Sequence, residues 1–167
     1  MFENLIPDAV FSRISDISPE WLLEDCGVSG VICDLDNPLA GYMEKSPSPE
    51  LSGWFARLRE AGLKALILSN NKSDRVMSFA SKLGVSAIRG AGKPRTGGFV
   101  KAAAMLGLAP ERIAVIGDQI FTDVYGAKKS GMPALLVGHD QIDKNPLFWL
   151  RRAFESPFIS RCGNVRV

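Results

Sequence analysis

Short apolar runs alternate along this chain with segments of helical periodicity, and that rhythm restricts the fold more than any other feature. The runs are VSGVICD (28–34), LKALILS (63–69), VSAIR (85–89), RIAVIG (112–117) and ALLVG (134–138). Between the first two, Ser48-Pro49-Glu50 reads as an N-cap with a first-turn proline, opening a helix that carries Leu51, Phe55 and Leu58 and stops at Gly62. Val76, Phe79, Ala80 and Leu83 share one face of the next helix, which ends at Gly84. Residues 98–107 and about 122–130 read as two further helices. Fully apolar strands separated by helices require parallel neighbours covered on both faces. The spacing therefore predicts a doubly wound α/β domain with five parallel strands. At 167 residues, the expected organisation is a single domain over 1–167, with 144–167 as a basic, aromatic C-terminal extension.

Parallel winding sends every strand-to-helix loop to the same carboxyl edge of the sheet, where ligands bind at the switch in winding direction. The notable polar residues fall at those edges. Asp34 and Asp36 follow the first run, Ser69-Asn70-Asn71 the second, and Asp118 the fourth. Dispersed in sequence, they are predicted to converge in space.

Composition narrows the function classes. The net charge of +2 is too small for a general nucleic-acid binder, and no nucleic-acid partner is expected. Charge is unevenly spread: residues 1–29 hold six acids and one base, whereas 144–167 hold five bases and one acid. Cys26, Cys33 and Cys162 show no CxxC spacing, which gives no support to a zinc site or redox pair. No run reaches the ~18–20 apolar residues of a membrane span. The first residues, MFENLIPDAVF, lack the basic and apolar regions of a secretory signal. A cytoplasmic location with reduced thiols is the expectation.

The motifs are individually modest. Asp34 and Asp36 project from one loop, and two unpaired carboxylates so placed would repel unless a proton or a divalent cation intervened. Asp118 adds a third. Solvated turn acids would look the same from the sequence. Ser69 and Asn70 stand where free helix amides could hold an anion, although simple capping accounts for them equally. Lys93, between Gly92 and Pro94, offers a point cation for a phosphoryl group or an ordinary loop lysine. In Gly117-Asp118-Gln119-Ile120-Phe121-Thr122-Asp123, the second aspartate falls near a helix start, where it could cap.

Their order is more specific than any one of them. A DxD after the first strand, Ser-Asn after the second, Lys in a later loop and GDxxxxD after the fourth resembles the haloacid dehalogenase (HAD) superfamily over about residues 28–137. Within it, LIPD, DISPEWL, CDLDNPL, LSNN, GKP and GDQIFTDV look like the small YqeG-type phosphatases of subclass IIIA, a group similar to phosphatidylglycerophosphate phosphatases. The resemblance implies a HAD-like Rossmannoid fold and a Mg²⁺-dependent phosphomonoester hydrolase acting through an aspartyl-phosphate. Asp34 would be the nucleophile and Asp36 the general acid and base. Ser69, Asn70 and Lys93 would bind the phosphoryl group. Asp34, the Asp36 carbonyl and Asp118 would hold the metal, with Asp123 in support.

Three further expectations follow. Residues 37–68 and 70–92 leave no room for a cap domain, so the site would be capless and open. Phosphatidylglycerophosphate is then the best substrate expectation, with Arg151 and Arg152 beside Phe148, Trp149 and Phe154 suited to anionic phospholipid at a membrane periphery. The family's usual threonine is replaced by Pro38, which brings neither hydroxyl nor N–H to the catalytic loop. That departure motivates the alternative of a catalytically weak HAD-fold binding or regulatory protein. A receiver-like signalling module fits less well, because no Asp follows VSAIR and the lysine precedes the fourth strand.

Overall fold

The computed structural model describes residues 2–36, 39, 44–138, 156–163 and 165–166. The expected α/β fold is present: a parallel sheet between two helical layers. Its strands are β1 (Ala9–Phe11), β2 (Gly30–Cys33), β3 (Lys64–Leu68), β4 (Ser86–Ile88), β5 (Ile113–Gly117), β6 (Ala134–Val137) and β7 (Val165–Arg166). They lie in the order β4-β3-β2-β5-β6-β1-β7, and every pairing is parallel. The helices are α1 (Pro19–Glu24), α2 (Pro49–Glu60), α3 (Asp74–Leu83), α4 (Thr96–Leu106) and α5 (Tyr125–Lys129).

The period-two alternation of the strands divides the core. Val31, Cys33, Ile67, Ala114, Ile116, Leu135 and Val137 face one cluster with Leu22 of α1 and the apolar stripes of α2 and α3. Ile32, Leu66, Leu68, Ile113, Val115, Ala134 and Leu136 face the other, with Phe99 and Ala102 of α4 and Ala127 of α5. Both sheet faces are thus buried, which is why the strands read as unbroken apolar runs. Ser18 and Ser48 cap α1 and α2 through their hydroxyls, each ahead of a first-turn proline.

Among the described residues, seven strands replace the predicted five. The sequence gives β1 only three residues of weak pattern, and long-range contacts decide it. It pairs Ala9 with Leu135 and Phe11 with Val137. Asp8 fixes its start, accepting from Ala134 N at 2.7 Å and from Lys128 Nζ at 2.5 Å. The last predicted helix opens as a π-helical turn, Ile120–Val124, before α5. Pro38, His139 and the aromatic–arginine stretch 148–154 lie outside the described residues. Among those described, α2 is the one helix between β2 and β3 and α3 the one between β3 and β4, without a cap domain. No helix among them is long and apolar enough to cross a membrane.

Candidate active site

The sheet reverses its winding between β2 and β5. From β2 the chain steps outward to β3 and β4, then returns across to β5 and β6. Asp34 sits at that switch, and its N–H extends the β2–β5 ladder by bonding Ile116 O at 2.9 Å. Ser69 follows β3 directly, its N–H on Ile88 O at 3.0 Å. Asp118 follows β5 directly, and Lys93 lies in the loop between β4 and α4. Among the described residues, the buried polar or charged side chains are Asp34, Ser69, Lys93, Asp118 and Asp123, all of them sequence-predicted site residues. Buried ionisable groups are expensive unless paired, and here they are gathered at one point.

Lys93 links them. Its Nζ lies 2.9 Å from Asp34 Oδ1 and 2.6 Å from Asp123 Oδ1. Asp34 Oδ1 also accepts the Leu35 N–H at 2.9 Å. The backbone of Lys93 is held in turn by Asn70, which accepts from Lys93 N at 2.7 Å and donates to Lys93 O at 3.1 Å. Predicted as a substrate contact, Asn70 therefore has its amide on the lysine loop. Two backbone bonds, Ala91 N to Ser69 O and Gly90 N to Asn71 O, clip the same loops together. The Lys93–Pro94 peptide is cis.

Asp123 reaches the centre through its neighbour's lack of a side chain. A Cβ on Gly117 would meet the Asp123 carboxylate at 2.4–2.5 Å, so the glycine of GDxxxxD clears space for the second aspartate. Asp34, Asp118 and Asp123 each place a carboxylate oxygen within 4.8 Å of the others. Three buried carboxylates suit a hard, oxygen-seeking divalent cation.

Asp36 behaves differently. Its carboxylate meets Arg75 Nη1 at 2.7 Å and accepts from Ser69 Oγ at 3.4 Å. Ser69 Oγ itself accepts the Asn71 N–H at 3.0 Å. Arg75 is the site residue that sequence reasoning missed. A signal was available: a cation in the first turn of α3, where the helix dipole favours an acid.

The electrostatics follow burial. Burial pushes the Asp34 carboxyl up to about 7; Lys93 opposes the rise, while Asp123 and Asp36 add to it. Burial alone would lower the Lys93 ammonium, but Asp123 and Asp34 outweigh it and hold the proton on more tightly than usual. Burial, with Asp34 beside it, raises the Cys33 thiol far above neutrality, which removes it as a nucleophile.

Known proteins resemble this chain in sequence and in fold. The haloacid dehalogenase-like hydrolase family matches residues 10–131. "Probable phosphatase YqeG" of Bacillus subtilis (strain 168) is 39% identical over 132 residues, covering 79% of this chain and 76% of the relative. The chain belongs to the haloacid dehalogenase-like hydrolases and is a phosphatase of that family. Solved structures share its fold. The 3-deoxy-D-manno-octulosonate 8-phosphate phosphatase of Yersinia pestis aligns with a TM-score of 0.57 at 15% identity, over 87% of this chain and 75% of that one. The cobalt-bound form of the deoxy-D-mannose-octulosonate 8-phosphate phosphatase of Haemophilus influenzae aligns with a TM-score of 0.56 at 17% identity, over 84% of this chain and 78% of that one.

Proposed function

We propose that the chain hydrolyses phosphomonoesters through an aspartyl-phosphate on Asp34. The observation that carries this reading is the coincidence of burial and chemistry: Asp34, Ser69, Lys93, Asp118 and Asp123 are buried together at the switch point. An Asp34 carboxylate oxygen would attack phosphorus as the bond to the alcohol breaks, and Asp36 would give the leaving oxygen its proton. Water would then attack the phosphoryl group, Asp36 taking back a proton and Asp34 being released. Lys93 and the Ser69 hydroxyl would hold the phosphoryl oxygens in line. Asp34 and Asp118, with the Asp36 carbonyl and Asp123, would hold Mg²⁺. When bound, the ion supplies positive charge for the developing phosphoryl charge.

We further assign the chain to the YqeG-type members of subclass IIIA and take phosphatidylglycerophosphate as the substrate. The 39% identity to the Bacillus phosphatase and the motif pattern support the first part. The second rests on the resemblance to phosphatidylglycerophosphate phosphatases. With no cap among the described residues, a bulky substrate or an anionic membrane surface would supply the missing wall of the site. Phosphate release with Mg²⁺, measured on phosphatidylglycerophosphate in mixed micelles and on soluble phosphomonoesters, tests both levels. Preference for the lipid is expected. Activity on soluble esters alone would remove the lipid assignment, and inactivity on all would remove the phosphatase mechanism.

A further inference from the structure

Arg75 has no role in the scheme above, yet it touches the residue that must move protons. Its Nη1 donates to Asp36 Oδ1 at 2.7 Å, and its Nε donates to the Glu44 backbone carbonyl at 2.8 Å. The guanidinium thereby bridges the loop after β2 to the start of α3, with a planar donor fork that fixes direction as well as distance. Asp36 Oδ2 faces the Ser69 hydroxyl at 3.4 Å, so both carboxylate oxygens have a set orientation. The side chains of Arg75 and Asp36 are 16% and 23% exposed, which limits solvent screening of the pair.

We propose that Arg75 is a positioning residue, holding the Asp36 carboxyl group at the angle from which it serves the leaving alcohol and then water. The inference rests on the acid–base reading of Asp36. Arg75 neither gains nor loses a proton; the alcohol oxygen receives one from Asp36, and Asp36 later takes one from water. A misdirected general acid loses much of its advantage, even when binding is intact.

The distinguishing experiment uses leaving groups that differ in their need for a proton. The full-length wild type and Arg75→Gln are compared with Mg²⁺ on glycerol 3-phosphate, whose alcohol must be protonated, and on 4-nitrophenyl phosphate, whose phenolate can leave unaided. The value of kcat/KM, which reports the steps up to loss of the alcohol, should fall about tenfold or more on the first ester and much less on the second. In an Asp36→Asn background, adding Arg75→Gln should change neither value further. Equal fractional losses on both esters, no loss, a gain in turnover, or a full further loss in the Asp36→Asn background would each overturn the proposal. A wild type inert towards both esters and towards phosphatidylglycerophosphate would instead overturn the parent reading, and is recognised before any variant is compared.

Discussion

Lys93 and Arg75 both bond aspartates at the carboxyl edge of the sheet, but one does so in the interior and the other at the rim. The Lys93 side chain is 4% exposed and sits between Asp34 and Asp123, themselves 8% and 2% exposed. Arg75 and Asp36 retain partial contact with water. A buried cation between two carboxylates is a condition for their burial; remove it and uncompensated charge is left in a poor solvent. A rim pair carries no such penalty, and its value lies in geometry. Under the proposed mechanism the same chemical contact would support folding and catalysis together in one region, and catalysis chiefly in the other.

The largest effect is expected at the centre. Asp34→Asn should reduce turnover by more than about a thousandfold, since an amide is a poor nucleophile of nearly the same shape. Phosphate release and circular dichroism together check that activity goes while the fold stays. The variant should also change the pH dependence of stability without divalent metal. In the folded chain this carboxyl keeps its proton up to about 7, against a reference value of 3.8. The native state then binds more protons than the unfolded state in that window, so wild-type stability falls as pH rises through it. Asp34→Asn should flatten that slope in thermal unfolding, and an unchanged slope would show that Asp34 is not the buried acid described.

Next comes Lys93→Met, which leaves Asp34 and Asp123 buried without their cation. A loss of about 3–5 kcal/mol in denaturant unfolding is expected, together with loss of activity. Adding Asp123→Asn should recover part of the stability, because one of the stranded charges is removed, but none of the turnover. If Lys93→Met costs no more stability than Arg75→Gln, the contrast between interior and rim fails.

The order of the motifs and the strand ends was legible because it is local: an apolar run stops and a polar residue follows. Asp34, Ser69 and Asp118 needed only that rule and parallel topology to be placed; Lys93, in the loop Gly90–Pro94, was singled out by its glycine and proline neighbours and by the order of the motifs. Strand β1 escaped because three residues carry almost no pattern, and its partners lie more than a hundred residues away in β6. Asp123 was expected both as a cap and, through the family resemblance, as a supporting residue; it accepts from Gln119 N at 3.2 Å, and its bond to Lys93 Nζ spans 30 positions that spacing does not reveal. Asn70 read as an anion ligand, whereas its amide fits the Lys93 backbone, a pairing between loops that spacing does not reveal. Arg75 was hidden for a related reason. It acts across 39 positions of sequence on Asp36, and only its placement against the helix dipole hinted at it.

The smallest effect is expected where the same kind of contact is fully at the surface. Arg89 pairs with Asp74 at the carboxyl edge, but their side chains are 46% and 95% exposed. Exposed ion pairs gain little Coulomb energy in water, lose side-chain freedom and are screened by salt, so their worth is at most on the order of 1 kcal/mol. Arg89→Gln should leave the unfolding midpoint nearly unchanged and kcat/KM within about twofold on any soluble ester. Burial would then rank the three cations in the order Lys93, Arg75, Arg89 for stability. Catalytic losses would follow the same order, because each step outward also moves away from the proton-transfer and phosphoryl groups. A loss at Arg89 as large as at Arg75 would break that ranking, and would extend the functional edge beyond Asp36 to the exposed end of the β4 loop.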